Sequence, residues 1–331
     1  MTMCSPISST SSPMAALRAA AARNSRSIWS VKAIRNWPHE RRRHSFALRS
    51  LRVLCVFARN LRRFCFAQRR RGSRDRGGGL CAMSALPTRR DEEWRYAPAE
   101  VLAGLKALPE AEHIAVAAGT KHPMYRCVST GAASKVDIQR YQIDIAEGAR
   151  CEAFFLLTGG GYKRLDIDVT LAEGAHFELG AVGIGRGVEI TEIVTRLRHV
   201  APGATSNQVM RGVAMDKATI TMIGRIDVAK DAQKTDASLG AKGLLLDRTA
   251  TINAKPELEI YADDVKCAHG CAIGQLDEMA LFYAQQRGLP MAEARNLLMQ
   301  AFVAEAYGEI ADSKWRDHMI GYAEAALRGT F

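Results

Sequence analysis

Between about residues 113 and 266, apolar and polar side chains alternate in short runs separated by Gly, Pro and Asp. The segments "QRYQIDIAEGARCEAFFLLTGGG", "RLDIDVTLAEGAHFELGAVGIG", "ITEIVTRLRHVAPGATSNQVM" and "ATITMIGRIDVAK" all alternate or nearly alternate, the period of an extended chain whose successive side chains face opposite ways. A turn tripeptide recurs among them: "EGA" at 147–149 returns at 173–175 and as "PGA" at 202–204, intervals of 26 and 29 residues, with looser echoes at 216–218 and 247–250. A repeat of two or three strands and a turn cannot bury its apolar face alone, whereas stacking coil on coil buries it. The pattern predicts a mainly β fold with helical ends, its core a parallel β-helix (solenoid). The rival is a β-sandwich, which spaces its turns similarly but needs no self-similar ones.

Helical periods flank this core. Trp94, Val101, Leu102, Leu105 and Leu108 fall at near-helical spacing, with Pro98 placed to break or restart the helix. After Gly270 the period changes again. Leu276, Met279, Phe282 and Tyr283 form one apolar side, ended by Gly288; Pro290 fits the first turn of a second helix whose face is Leu297, Leu298, Phe302 and Val303. A third helix has Asp312 or Ser313 as its cap and Gly329 as its stop. The expected division is a leader at 1–82, an N-terminal helical segment at 83–112, a β-helix core at 113–268 and a C-terminal helical domain at 269–331.

Charge separates the first of these from the rest. The chain carries a formal net charge of +11 over 331 residues, but residues 1–82 hold 18 Lys and Arg against two acids, and residues 83–331 hold 28 against 33. The basic excess belongs to the leader alone, so charge gives no sign of nucleic-acid binding by the body. An Arg-rich, Ser-rich, acid-poor leader admits three readings: an over-long start with translation beginning at Met83, an organelle transit segment, or a disordered arm that touches anionic polymers. Arginines interrupt every apolar run in 48–67, which excludes a membrane span there. Four of the eight cysteines lie in the leader, and Cys127, Cys151, Cys267 and Cys271 show no disulfide-framework spacing, as expected in a reducing compartment.

Several motifs fall short of their chemistry. "TGGGYKR" (158–164) lacks the spacing of a phosphate loop, and "GIGRG" (183–187) lacks the third Gly of a dinucleotide site, so both are expected to be turns. Asp166 and Asp168 share a strand face and could do acid–base work, as in β-helix enzymes acting on polysaccharides, but a solvated outer face explains them as well. The stretch "DDVKCAHGCAIG" (263–274) is the stronger candidate. In an extended chain Cys267 and His269 face the same way and present a thiol and an imidazole together, a combination suited to zinc or iron. Cys271 would join them only if the extension continued through Gly270, which is read as a corner. Two or three donors leave coordination positions open, to be filled from elsewhere in this chain or from a partner. The competing reading makes Cys267 a small buried residue and His269 a cap for the following helix.

"PELEIYADDVKCAHG", followed by "IGQLD" and "LFYAQQRGL", closely resembles the core signature of the SufB/SufD family of iron–sulfur cluster assembly (SUF system) proteins. The likeness runs in order over roughly 83–331, and "VKCAHG" is similar to the SufD branch. The resemblance implies a right-handed parallel β-helix ending in a C-terminal helical bundle, and a non-enzymatic scaffold subunit. It implies a SufB-like paralogue as heterodimer partner and a SufC-like ABC ATPase docked on the C-terminal helices, with a homodimer open to the isolated chain and no nucleic acid or membrane as partner. It implies that a transient iron–sulfur cluster forms at the SufB interface with His269, and secondarily Cys267, among its ligands; no role is carried onto Cys271, and flavin binding is left open. Location follows the leader: cytoplasmic, or plastid if 1–82 is a transit segment. Two other functions are to be weighed, a SufB-like primary scaffold and a β-helix carbohydrate-active enzyme. The second would need paired carboxylates and aromatic platforms, for which Tyr141, Phe154, Phe155, Tyr162 and Phe177 are at hand.

Overall fold

The alternating runs become two parallel sheets of six strands each. The first holds β1 (Glu112–Val116), β3 (Val136–Ile145), β5 (Tyr162–Leu171), β7 (Ile190–His199), β9 (Thr219–Val228) and β11 (Thr251–Ile260), in that spatial order. The second holds β2 (Lys121–Ser129), β4 (Arg150–Thr158), β6 (His176–Gly185), β8 (Thr205–Ala214), β10 (Asp236–Leu245) and β12 (Lys266–Gly274). Consecutive strands thus alternate between sheets, and every paired strand is parallel, which makes the core a β-solenoid. This is a computed structural model, and it describes residues 86–129 and 136–329. The expectations for 1–82 lie outside the described residues.

The recurring tripeptide marks one stacked corner. Gly148, Gly174 and Gly203 have φ of 61°, 60° and 69°, a left-handed conformation that strains residues with a Cβ, and Lys234 (φ 63°) occupies the same corner one coil later. Each of these glycines donates its N–H to the next coil: Gly148 to the Glu173 carbonyl (2.9 Å), Gly174 to Pro202 (3.0 Å) and Gly203 to Gln233 (2.8 Å). The corner is therefore held along the axis as the strands are. The interior is an apolar stack in which Ile143, Phe155, Leu165, Phe177, Leu197, Met222 and Leu239 are buried.

Each outer face has its own cover. Trp94 lies under the Arg164 guanidinium (3.6 Å) on the first sheet. The expected N-terminal helical segment is divided there into a 3-10 turn, Glu92–Trp94, and a short α1, Ala99–Gly104, with Pro98 at the junction. The second sheet is covered by the C-terminal helices: α2 (Glu278–Gln286), α3 (Met291–Ala304), a 3-10 turn (Glu305–Tyr307) and α4 (Ser313–Arg328). Phe154, Leu156, Val182 and Val213 pack there against Val303, Tyr307, Met319 and Ala323. Asp312 caps α4 by accepting from the Lys314 N–H (2.9 Å), and Gly329 ends it in the left-handed conformation (φ 71°), both as the sequence indicates.

Two expectations change. The β core runs to Gly274 in place of 268, because β12 keeps its ladder with β10 from Lys266 to Gly274 without a break at Gly270. The apolar side of α2 is not buried within this chain: Leu276 packs inward, but Met279, Phe282 and Tyr283 are exposed.

Candidate functional site

Along β12 one face reads Cys267, His269, Cys271, Ile273 and the other Ala268, Gly270, Ala272, Gly274. In-register pairing sets Cys267 on Ala237, His269 on Leu239 and Cys271 on Ala241. Those three β10 residues are buried in the solenoid interior, so the sulfur and imidazole donors continue interior columns onto the last coil. No described strand pairs with the far side of β12, nor with that of β11, so the columns end at an open rim. His269 and Cys271 are consequently exposed, and Cys267, which rests on the core below, is half-buried. Burial raises the Cys267 thiol pKa, and the nearby Asp236 carboxylate pushes in the same direction.

Gly270 is therefore no corner, and Cys271 shares the face of Cys267 and His269. Nor does His269 cap a helix: Asp277 caps α2, accepting from the N–H groups of Met279 (2.8 Å) and Ala280 (3.3 Å). Residues two apart on a strand are separated by about 6.6 Å along the chain. Among the described residues no group of three or more His, Cys, Asp or Glu side chains converges to hold a metal ion. The rim offers donors in a row, and a bound group must bring or borrow the rest of its coordination.

Two coils beneath the rim lies a polar layer that the strand pattern did not reveal. The column below Cys267 runs through Ala237 to Ser206, and that below His269 through Leu239 to Gln208. Ser206 meets the His199 Nε2 at 3.0 Å, and the Thr195 hydroxyl donates to Gln208 Oε1 at 2.7 Å. Burial depresses the His199 pKa to about 4, so the ring is neutral at physiological pH. Further down the first column, past Phe177, Cys151 is buried, and burial pushes its thiol up to about 12, which makes it an inert packing residue.

The family model for the SufBD core domain of SUF system FeS cluster assembly matches residues 111–302, which takes in the whole solenoid, the rim, α2 and most of α3. The chain belongs to the SufBD family. Its relatives place it on the SufD branch. It is 30% identical over 186 residues to the iron–sulfur cluster assembly protein SufD of Escherichia coli (strain K12), an alignment covering 56% of this chain and 44% of that one. It is 26% identical over 156 residues to SufD of Bacillus subtilis (strain 168), covering 47% and 36%. It is 38% identical over 115 residues to a chloroplastic protein of Arabidopsis thaliana, covering 35% and 24%. The chain thus matches less than half the length of these curated relatives.

Among the described residues of this SufBD chain, the carboxylates and aromatics weighed for sugar cleavage are engaged in ion pairs or buried. Asp166 is tied to Arg164 (2.7 Å), and Asp168 to Arg196 (3.1 Å) and Arg198 (3.4 Å), within a half-buried ion-pair layer on the first sheet. Burial raises the pKa of both carboxyls. All five aromatics that a sugar platform would need, Tyr141, Phe154, Phe155, Tyr162 and Phe177, are buried. Of the two motifs read as turns, "TGGGYKR" has its turn at Gly159 and Gly160, both with positive φ, while Gly183 and Gly185 lie within β6 and the turn comes only at Gly187.

Proposed function

We propose that this chain is a SufD-like subunit of the SUF scaffold, in which the open rim of β11 and β12 meets a SufB-like paralogue and a nascent iron–sulfur cluster is built between them. The cluster is cargo, bound in transit by His269 and Cys267 together with donors of the partner. The single observation that carries this reading is the row of soft and borderline donors on an unpaired sheet edge, in a chain of the SufBD family. An exposed edge of this length invites pairing, and the rim lacks the ligands for a complete site of its own.

The helical tail supplies a second contact in this scheme. Met279, Phe282 and Tyr283 of α2 are 72%, 55% and 60% exposed, an apolar surface suited to a SufC-like ABC ATPase. The chain itself carries no phosphate loop, so nucleotide hydrolysis falls to that partner. The coil is taken as right-handed, as crossovers between parallel strands of one sheet are, and the tail as a helical bundle. In this role the chain is a scaffold without catalysis of its own. Its location is cytoplasmic, or plastid as for the chloroplastic relative. No helix among the described residues is long and apolar enough to cross a membrane.

The test is anaerobic reconstitution with iron and sulfide of the complex co-purified with SufB-like and SufC-like subunits. His269→Ala is expected to leave the complex assembled and to lower the visible absorption of the cluster about tenfold. An unchanged yield overturns the proposal.

A further inference from the structure

The continuation of β12 through Gly274 gives His269 two sulfur neighbours on the same face, Cys267 on one side and Cys271 on the other. Their spacing from His269 along the strand is the same, about 6.6 Å. Their surroundings differ. Cys267 packs against the buried interior, with Ala237 beneath it, whereas Cys271 is exposed, as His269 is. The opposite face does nothing to close this end of the strand, since a Cβ placed on Gly270 would meet no atom within 4 Å.

We propose that Cys271 is the principal sulfur partner of His269, and that the two form a thiolate–imidazole pair for a soft or borderline metal, with Cys267 serving chiefly as the floor beneath them. This rests on the scaffold reading and on His269 as its imidazole, and it replaces that reading's thiol by moving the cargo-facing sulfur from Cys267 to Cys271. The ligand class is iron or zinc, or the iron of a sulfide-bridged cluster. Metal binding forms an S–metal bond, and the thiol proton passes to the buffer with no change of oxidation state. Two donors do not fill a coordination sphere, so the remaining positions go to sulfide, water or a second chain.

The test uses the purified full chain, zinc(II) alone as the probe, and iodoacetamide alkylation followed site by site by peptide mass spectrometry. Zinc is expected to slow alkylation of Cys271 about fivefold or more, to change Cys267 less than about twofold, and to lose its effect on Cys271 in His269→Ala. Equal Cys271 rates with and without zinc overturn the inference, as do protection centred on Cys267 and protection that survives His269→Ala. Cys271→Ser changes an exposed side chain by a single atom and keeps the fold, so its cluster yield in the reconstituted complex gives a second reading, expected to fall with that of His269→Ala. If His269→Ala lowers the yield and Cys271→Ser does not, the inference fails while the scaffold reading stands. If zinc protects Cys271 through His269 yet neither variant lowers the yield, the metal pair stands and the scaffold reading fails.

Discussion

Gly180 and His199 show how closely single positions in this solenoid are constrained. Gly180 lies on the outer face of β6, where the carbonyl of Ala306 comes so near that an added Cβ would overlap it and crowd the Phe154 ring (2.7 Å). Gly180→Ala is expected to cost about 2 kcal/mol or more, because backbone and not a flexible side chain must move. Urea unfolding measures the cost, and hydrogen exchange should quicken around 303–310 while β9 is unaffected. His199 acts through its charge. Its folded pKa is about 4 and its unfolded value 6.5, so between them the unfolded chain binds a proton that the native ring refuses. Its contribution is complete above about pH 6.5 and falls as the pH drops towards 4, by about 3 kcal/mol in total. Urea midpoints from pH 7 to 4.5 should fall more steeply in the parent than in His199→Leu; equal slopes would assign the acid sensitivity to other groups.

At the scale of elements, the decisive joint is the turn between α3 and α4. Arg211 of β8 grips Glu305 at 2.8 Å and 3.0 Å and donates to the carbonyls of Met210 (2.8 Å) and Gly240 (3.1 Å). Lys242 of β10 reaches the same carboxylate at 3.2 Å, and the Tyr307 hydroxyl donates to the Phe155 carbonyl at 3.1 Å. The helical tail is thereby fastened to β8 and β10, and β10 is the strand on which β12 rests. Arg211→Met should cost about 1–3 kcal/mol, by removing the buried guanidinium's bonds to the two carbonyls and to Glu305, a carboxylate exposed enough to regain water. Tyr307→Phe should cost about 1 kcal/mol. In both variants faster exchange confined to 299–310 would locate the loss at the joint. Sequence pattern had little purchase here, because Arg211, Lys242 and Glu305 are far apart in the chain and each reads as an ordinary surface charge. The stacked corners were legible, since a left-handed corner selects Gly and its recurrence counts the coils. The end of β12 is less so: Gly270 reads as a corner, although the Ala, Gly, Ala, Gly alternation at 268–274 carries the strand period past it. The exposed side of α2 could not be foreseen either, because an apolar stripe does not say whether its cover lies within the same chain.

For the whole molecule, stacking makes stability a sum over neighbouring coils. Among the described residues each inner strand is paired on both sides, while β1, β2, β11 and β12 are paired on one only. In such a quasi-one-dimensional stack, opening begins at the ends and the middle opens last. The ends also differ from each other, because β12 carries donor side chains and a nearly bare Ala and Gly face, without the helical cover laid over β4, β6 and β8. Amide exchange in the isolated chain should therefore be slowest in β5–β8 and fastest in β1 and β12. If the rim is the pairing edge, adding a SufB-like partner should slow β11 and β12 about tenfold or more and leave β1 and β2 unchanged, because a new ladder removes only the free edge it covers. Slowing at β1 and β2 instead would put the partner at the opposite end of the stack and separate the donor row from the interface. Slowing confined to α2 and α3 would mean that association uses the exposed Met279, Phe282 and Tyr283 alone. The donors at 267, 269 and 271 serve an assembly site only if the coil they terminate is the one a partner extends.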